Sequence, residues 1–199
     1  MESLKLDKVI DKLRQKQIDL FSHSDFRQLF PLISPPGLSA AIKRLIKTKT
    51  ISRIEKGKYQ FLLSNNQPHQ YKLANFIYQP SYVSLETALS FYGIIYQFTY
   101  QITSITTKKA IVKTYLQKAY SYAHLSSKLF TYYHQQEGVL IATPNKALFD
   151  YCYLAHKGYR SRNNLGLINL SISQKKQFIS YVRQNYGFPK LYNFINKNL

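Results

Sequence analysis

Apolar residues recur at helical spacing from Ser3 to Gln17, where Leu4, Leu6, Val9, Ile10 and Leu13 share one stripe, the mark of an amphipathic helix. A second helix is predicted over "DFRQLF", which Ser22 or Ser24 can cap and Pro31 ends. After the proline-rich turn "PLISPP", a third is predicted from Pro36 over "PGLSAAIKRLIKTKT". Its inward stripe is Leu38, Ile42, Leu45 and Ile46, and its outward face is Ser39, Ala40, Lys43, Arg44 and Lys47. The pattern then changes. In "ISRIEKGKYQFLL", Ile51 to Leu63, two short runs rich in Ile, Tyr, Phe and Leu flank Glu55-Lys56-Gly57-Lys58. Gly57 can take the positive φ of a tight loop, so the stretch reads as a β-hairpin.

"SNNQPHQ", Ser64 to Gln70, is polar and holds a proline; it reads as a linker between a domain at 1–66 and another at 70–199. Beyond it, "YKLANFIY" looks like a short helix. "PSYVSLETALSFYGII" predicts a helix capped by Ser84, with Glu86 in its first turn, Gly93 as its stop, and Leu85, Ala88, Leu89 and Tyr92 facing inward. "YQITSITTK" is rich in β-branched residues and reads as a strand. "VLIATPNKALFDYCYLAH" starts as a strand and turns into a helix, with Thr143 as N-cap and Pro144 at its first position. Two further helices follow, parted by Gly187 and Pro189. The second domain is therefore α+β, and the chain shows no convincing repeat or low-complexity tract.

Three helices followed by a hairpin is the order of a winged helix-turn-helix, and the charge fits that order. The 199 residues carry 28 Lys+Arg against 9 Asp+Glu, a formal net charge of +19. Such a field favours nucleic acid, an anionic membrane surface or an acidic protein. Abundant Lys, Asn, Ile, Tyr and Phe also follow from an AT-rich coding sequence, which needs no selection for binding. The first domain carries a local signal that base composition does not predict. Lys43, Arg44, Lys47, Lys49, Arg53, Lys56 and Lys58 cluster on the third helix and hairpin, against Glu55 alone, while Glu2, Asp7 and Asp11 sit in the first helix. A helix fits the DNA major groove, so Ser39, Lys43 and Arg44 are the expected base readers. Lys56 and Lys58 at the wing are expected on phosphates. The alternative is a small helical domain with a solvated basic face.

Chemistry finds little support. Past Gln67 the acids are Glu86, Glu137 and Asp150, too scattered for a two-metal site. Cys152 and His156 are four apart on a predicted helix, a spacing that suits a metal pair or a Cys–His nucleophile. Beside Leu148, Tyr151 and Ala155, Cys152 reads instead as core, where a free cysteine packs as a small hydrophobe. There is no Walker loop, G-x-G-x-x-G or H-E-x-x-H, so no enzyme, metal or cofactor is expected. Aromatics interleave with cations in "KKAIVKTYLQKAYSYAHLSSKLFTYY", which suits single-strand binding or a core. One cysteine fits a reducing cytoplasm. The charged N-terminus lacks an apolar signal core, and no apolar run is long enough to span a membrane.

"PSYVSLETALSFYGII", then "YQITSITTKK", then "IATPNKALFDYCYL", together with the winged helix before them, resemble the AbiEi-type antitoxins of abortive-infection, type IV toxin–antitoxin systems. The resemblance covers nearly the whole chain. It implies an N-terminal winged helix that binds inverted repeats in the double-stranded promoter DNA of its own operon and represses it, and that can dimerise there. It implies a C-terminal antitoxin domain that counters a nucleotidyltransferase-like toxin without a stable complex, a layout associated with phage defence. Two positions depart from the family pattern. Asn145 stands where a glutamate is frequent, and Gly93-Ile94-Ile95-Tyr96-Gln97 replaces a G-L-I-P-E run. Lys108, Lys109 and Lys113 are candidates for a second nucleic-acid surface. A winged-helix regulator with no toxin partner is the alternative, and a nucleic-acid-processing enzyme a third reading.

Overall fold

A reciprocal pair of hydrogen bonds sets where the second helix begins. The Asp25 N–H donates to Ser22 Oγ at 3.2 Å, and the Ser22 N–H donates to Asp25 Oδ2 at 2.7 Å. This capping box satisfies amides that a helix start leaves without partners. The computed structural model describes residues 5–64, 67–96 and 100–199. They form two units, residues 1–77 and 78–199.

The first unit runs α1 (Leu6–Gln15), β1 (Leu20–Ser22), α2 (His23–Leu29), α3 (Pro35–Lys47), β2 (Ile51–Glu55), β3 (Lys58–Phe61) and α4 (Gln70–Ile77). The expected start of α1 at Ser3 lies outside the described residues. The strands form an antiparallel sheet in the order β1-β3-β2. β1 is only three residues long, too short for an alternating pattern to announce it. It pairs Phe21 with Tyr59 and turns Phe21 into the core, where its ring stacks on Phe26 at 5.5 Å. Around them pack Val9, Leu13, Phe30, Leu38, Ala41, Ile42, Leu45, Ile51 and Phe61. On α3 the buried stripe is Leu38, Ala41, Ile42 and Leu45, and Ile46 is 37% exposed. At 100° per residue Ile46 falls at the edge of the stripe, whereas Ala41 falls within it.

The boundary between units falls after Ile77, beyond the linker expected at Ser64 to Gln70, of which Asn65 and Asn66 lie outside the described residues. α4 is tied to the first unit by two lysines. Lys72 Nζ donates to both carboxylate oxygens of Asp19 at 2.9 Å, and Lys58 Nζ donates to Ile77 O at 2.7 Å. A polar segment marks an exposed loop, but it does not say which core the next helix joins.

The second unit is α+β. It runs β4 (Ser81–Val83), α5 (Leu85–Phe91), β5 (Ile102–Thr106), β6 (Ile111–Tyr115), β7 (Lys118–His124), β8 (Tyr133–Gln136), β9 (Val139–Ala142), α6 (Pro144–His156), α7 (Ile172–Asn185) and α8 (Pro189–Asn198), with short 3-10 turns at Ser127–Leu129 and Asn163–Leu167. A mixed sheet has the order β6-β7-β5-β4-β9-β8, with β4 parallel to β9 and β5 parallel to β7. α5, β5, β9, α6, α7 and α8 stand where the hydrophobic pattern puts them. Thr143 caps α6 by accepting from the Lys146 N–H, and Pro144 opens the helix.

The tyrosine- and lysine-rich stretch after Lys108 is a β-hairpin. Its tip, Leu116-Gln117, takes φ of 46° and 61°. Two left-handed residues are what a tight hairpin needs, but the usual Asn-Gly or Asp-Gly signal is absent. Ser84 does not cap α5 with its side chain. Its Oγ instead donates to Asp150 Oδ2 at 2.8 Å.

Candidate nucleic-acid interface

Ser34 accepts from the Gly37 N–H at 3.3 Å and Pro35 fills the first turn of α3, a stable start for a helix whose other face is open. On that face Ser39, Ala40, Lys43, Arg44 and Lys47 are all exposed. Ser39, Lys43 and Lys47 follow at four-residue steps and so form one line, about 12 Å long at 1.5 Å per residue. Thr48 closes the helix by donating to Arg44 O and Leu45 O. Lys49 then turns left-handed at φ 55° and remains exposed. Between Asp25 and Glu55 the chain holds no acid, so the exposed face of α3 carries a net positive charge.

The hairpin holds its cations differently. Arg53 is exposed on β2, and Lys56 is exposed in the two-residue turn with Gly57, whose φ is 79°. The tip is tied back to the start of α2, where the His23 N–H donates to Gly57 O at 2.8 Å. Lys58, expected beside Lys56 on phosphate, is engaged within the unit. It pairs with Glu55 at 2.9 Å, donates to Ile77 O at 2.7 Å and sits 5.6 Å from the Phe76 ring centroid. Gly57 turns the chain so that Lys56 faces solvent while Lys58, the first residue of β3, points to α4. The two lysines should therefore separate. Lys58→Met is expected to lower the melting temperature and leave the salt dependence of DNA binding unchanged. Lys56→Met should do the reverse. Thermal melts and salt titrations of both variants check this.

In the second unit Lys108 and Lys109 are exposed in the turn before β6. Lys108 Nζ lies 5.6 Å from the Tyr78 ring centroid. Lys113 is half-buried in β6, where it pairs with Tyr120. The three candidates therefore divide between a turn and a strand.

Two of the three sequence blocks that carry the family resemblance, the first and the third, meet at a buried ion pair. Lys146 Nζ lies 2.6 Å from Asp150 Oδ1, and neither side chain is exposed. Asp150 Oδ2 accepts from Tyr82 OH at 2.9 Å and from Ser84 Oγ at 2.8 Å. Lys146 also donates to Leu129 O at 2.6 Å, and its Nζ is within 6.0 Å of the Tyr82, Phe149 and Tyr186 ring centroids. Burial pushes the Asp150 carboxyl up and the Lys146 ammonium down, and each partner opposes that shift in the other. An isolated charge here would face a large desolvation cost. The pair is legible only as Lys and Asp at i, i+4 in an apolar helix. Its further partners come from β4, its flanking residue and the Ser127–Leu129 turn.

Asn145 is exposed on the first turn of α6, and Gln97 lies outside the described residues. Cys152 is fully buried and burial pushes its thiol up, while His156 packs 5.2 Å from the Phe194 ring. The Cys152 sulfur is thus packed away from solvent, as a core cysteine is. Among the described residues no group of His, Cys, Asp and Glu is arranged to hold a metal, and no helix is long and apolar enough to cross a membrane. No protein-family model and no curated protein matches this chain.

Proposed function

We propose that the first unit is a winged helix-turn-helix that binds duplex DNA, with α3 as the recognition helix and the β2–β3 hairpin as the wing. The observation that carries this reading is the outward face of α3, a line of Ser39, Lys43 and Lys47 flanked by Arg44, with the opposite face locked into the core. About 12 Å of helix covers roughly three to four base-pair steps of 3.4 Å. The element order and the sheet order β1-β3-β2 support the assignment. Ser39, Lys43 and Arg44 then meet base edges, and Lys47, Lys49, Arg53 and Lys56 meet phosphates. With the family resemblance, the chain reads as a repressor of its own operon and an antitoxin against a nucleotidyltransferase-like toxin, acting without a stable toxin complex. The Lys146–Asp150 junction supports an architectural role for the blocks that carry the resemblance.

The test is fluorescence anisotropy of the full chain on a duplex from its own upstream region, repeated across salt. A steep loss of affinity with salt is expected, and each of Lys47→Ala, Lys49→Ala, Arg53→Ala and Lys56→Ala should reduce the log K against log salt slope by about 0.9 per lost phosphate contact. Slopes that stay at the wild-type value in all four variants would exclude this face.

A further inference from the structure

At the β6-β7 edge of the sheet in the second unit lies a cleft of about 620 Å³, lined by residues in and beside β6 and β7 and by residues at and just beyond the end of α6. Antiparallel partners share a face, and Val112 pairs with Ser121. At two-residue alternation Ala110 and Ala123 join them, and Ile111, Tyr122 and His124 of the same stretch complete this side of the lining. The walls are Leu154, at the end of α6, and Tyr159 and Arg160 just beyond it. Two large side chains at the cleft stay in water, with Val112 59% and Tyr159 75% exposed.

Charge at the cleft is positive. The Lys108–Lys109 turn leads into Ala110, and His124 Nδ1 donates to Lys108 O at 3.0 Å, holding that turn at one end. Arg160 has one acidic neighbour, Glu86, whose Oε1 lies 3.5 Å from Nε. Arg160 Nε and Nη2 are buried without a hydrogen-bond partner. The guanidinium is therefore held beside Glu86 by charge attraction, and the 21% of the side chain that stays exposed brings its charge to the cleft, where it can attract an anion. No acidic residue lines the cleft.

We propose that this cleft binds a nucleoside monophosphate unit, either as a free nucleotide or as one residue of a single strand. The base rests between Val112 and Tyr159, where an exposed aromatic ring suits stacking, and the phosphate is drawn to Arg160. This site is built by residues of the second unit alone and does not depend on the duplex-binding proposal.

Calorimetry on the full chain tests it with AMP, adenosine, inorganic phosphate, decanoate and an oligoadenylate of about eight nucleotides. AMP should bind saturably, and adenosine and phosphate each at least about tenfold more weakly, a difference of about 1.4 kcal/mol. Arg160→Gln and Ala123→Leu should each weaken AMP at least about tenfold. Val112→Asp, at an exposed position, provides a third variant if Ala123→Leu lowers the melting temperature. Binding of AMP without the oligonucleotide identifies a free nucleotide as the source. Binding of the oligonucleotide, displaced by AMP and weakened by the same variants, identifies a strand. Oligonucleotide binding that ignores all three variants marks surface lysines alone and overturns the proposal. So does the absence of AMP and oligonucleotide binding, or decanoate binding in place of AMP.

Discussion

Lys146→Met is expected to destabilise the second unit by about 3–5 kcal/mol, the usual consequence of leaving one member of a buried ion pair without the other. The methionine fills most of the lysine stem's volume, so the loss is electrostatic. Asp150 keeps the Tyr82 and Ser84 hydroxyls but loses its cation, and Leu129 O loses its donor. Because typical domains are stable by only about 5–15 kcal/mol, urea unfolding followed by circular dichroism should resolve the change easily. Lys146→Met/Asp150→Asn should recover more than half of it, since both charges are gone and the asparagine carbonyl still accepts hydroxyl bonds.

The pH dependence of the single variant has a definite sign. Burial already raises the Asp150 carboxyl, and Lys146 opposes the shift; without the lysine it rises further. A carboxyl whose folded value lies above its unfolded one stabilises the fold only while protonated. Lys146→Met should therefore lose stability as the pH rises from about 4, the ordinary aspartate value, through the folded value. A penalty under about 1 kcal/mol, or one equal at acidic and neutral pH, would mean that the pair is not buried and coupled in solution.

Lys43→Ala/Arg44→Ala is expected to abolish sequence preference on duplex DNA. Each good base contact contributes about 1–3 kcal/mol of discrimination, so the double variant should lose roughly thirtyfold or more at the specific site, which corresponds to about 2 kcal/mol. Both side chains are exposed, and their removal leaves the Leu38, Ala41, Ile42 and Leu45 stripe untouched. The melting temperature should hold. The specific and random duplexes must be compared at one salt concentration, because phosphate contacts alone weaken both alike. Equal losses on both duplexes would move Lys43 and Arg44 to the phosphates and leave base reading to other residues.

Local patterning made the helices legible. α3 could be drawn with its outward cations because a helix repeats every 3.6 residues and one stripe of Leu and Ile fixes its rotation. The same holds for α6, whose Thr143-Pro144 start is a local signal. The N-terminal hairpin was readable through Gly57, but β6–β7 was not, since Leu116 and Gln117 adopt left-handed turns that their side chains do not advertise. β1 needed β3 beside it to be a strand at all. Lys58 and Lys56 read alike in the sequence; what divides them is Ile77 O, nineteen residues away. Lys146 and Asp150 read as an ordinary i, i+4 pair. Only the closing of β4 and the Ser127–Leu129 turn over them makes the pair dry and its two charges interdependent. Chain-local geometry thus determined which residues share a face. Burial, which depends on partners distant in sequence, decided which of the charges on those faces remain available to a ligand.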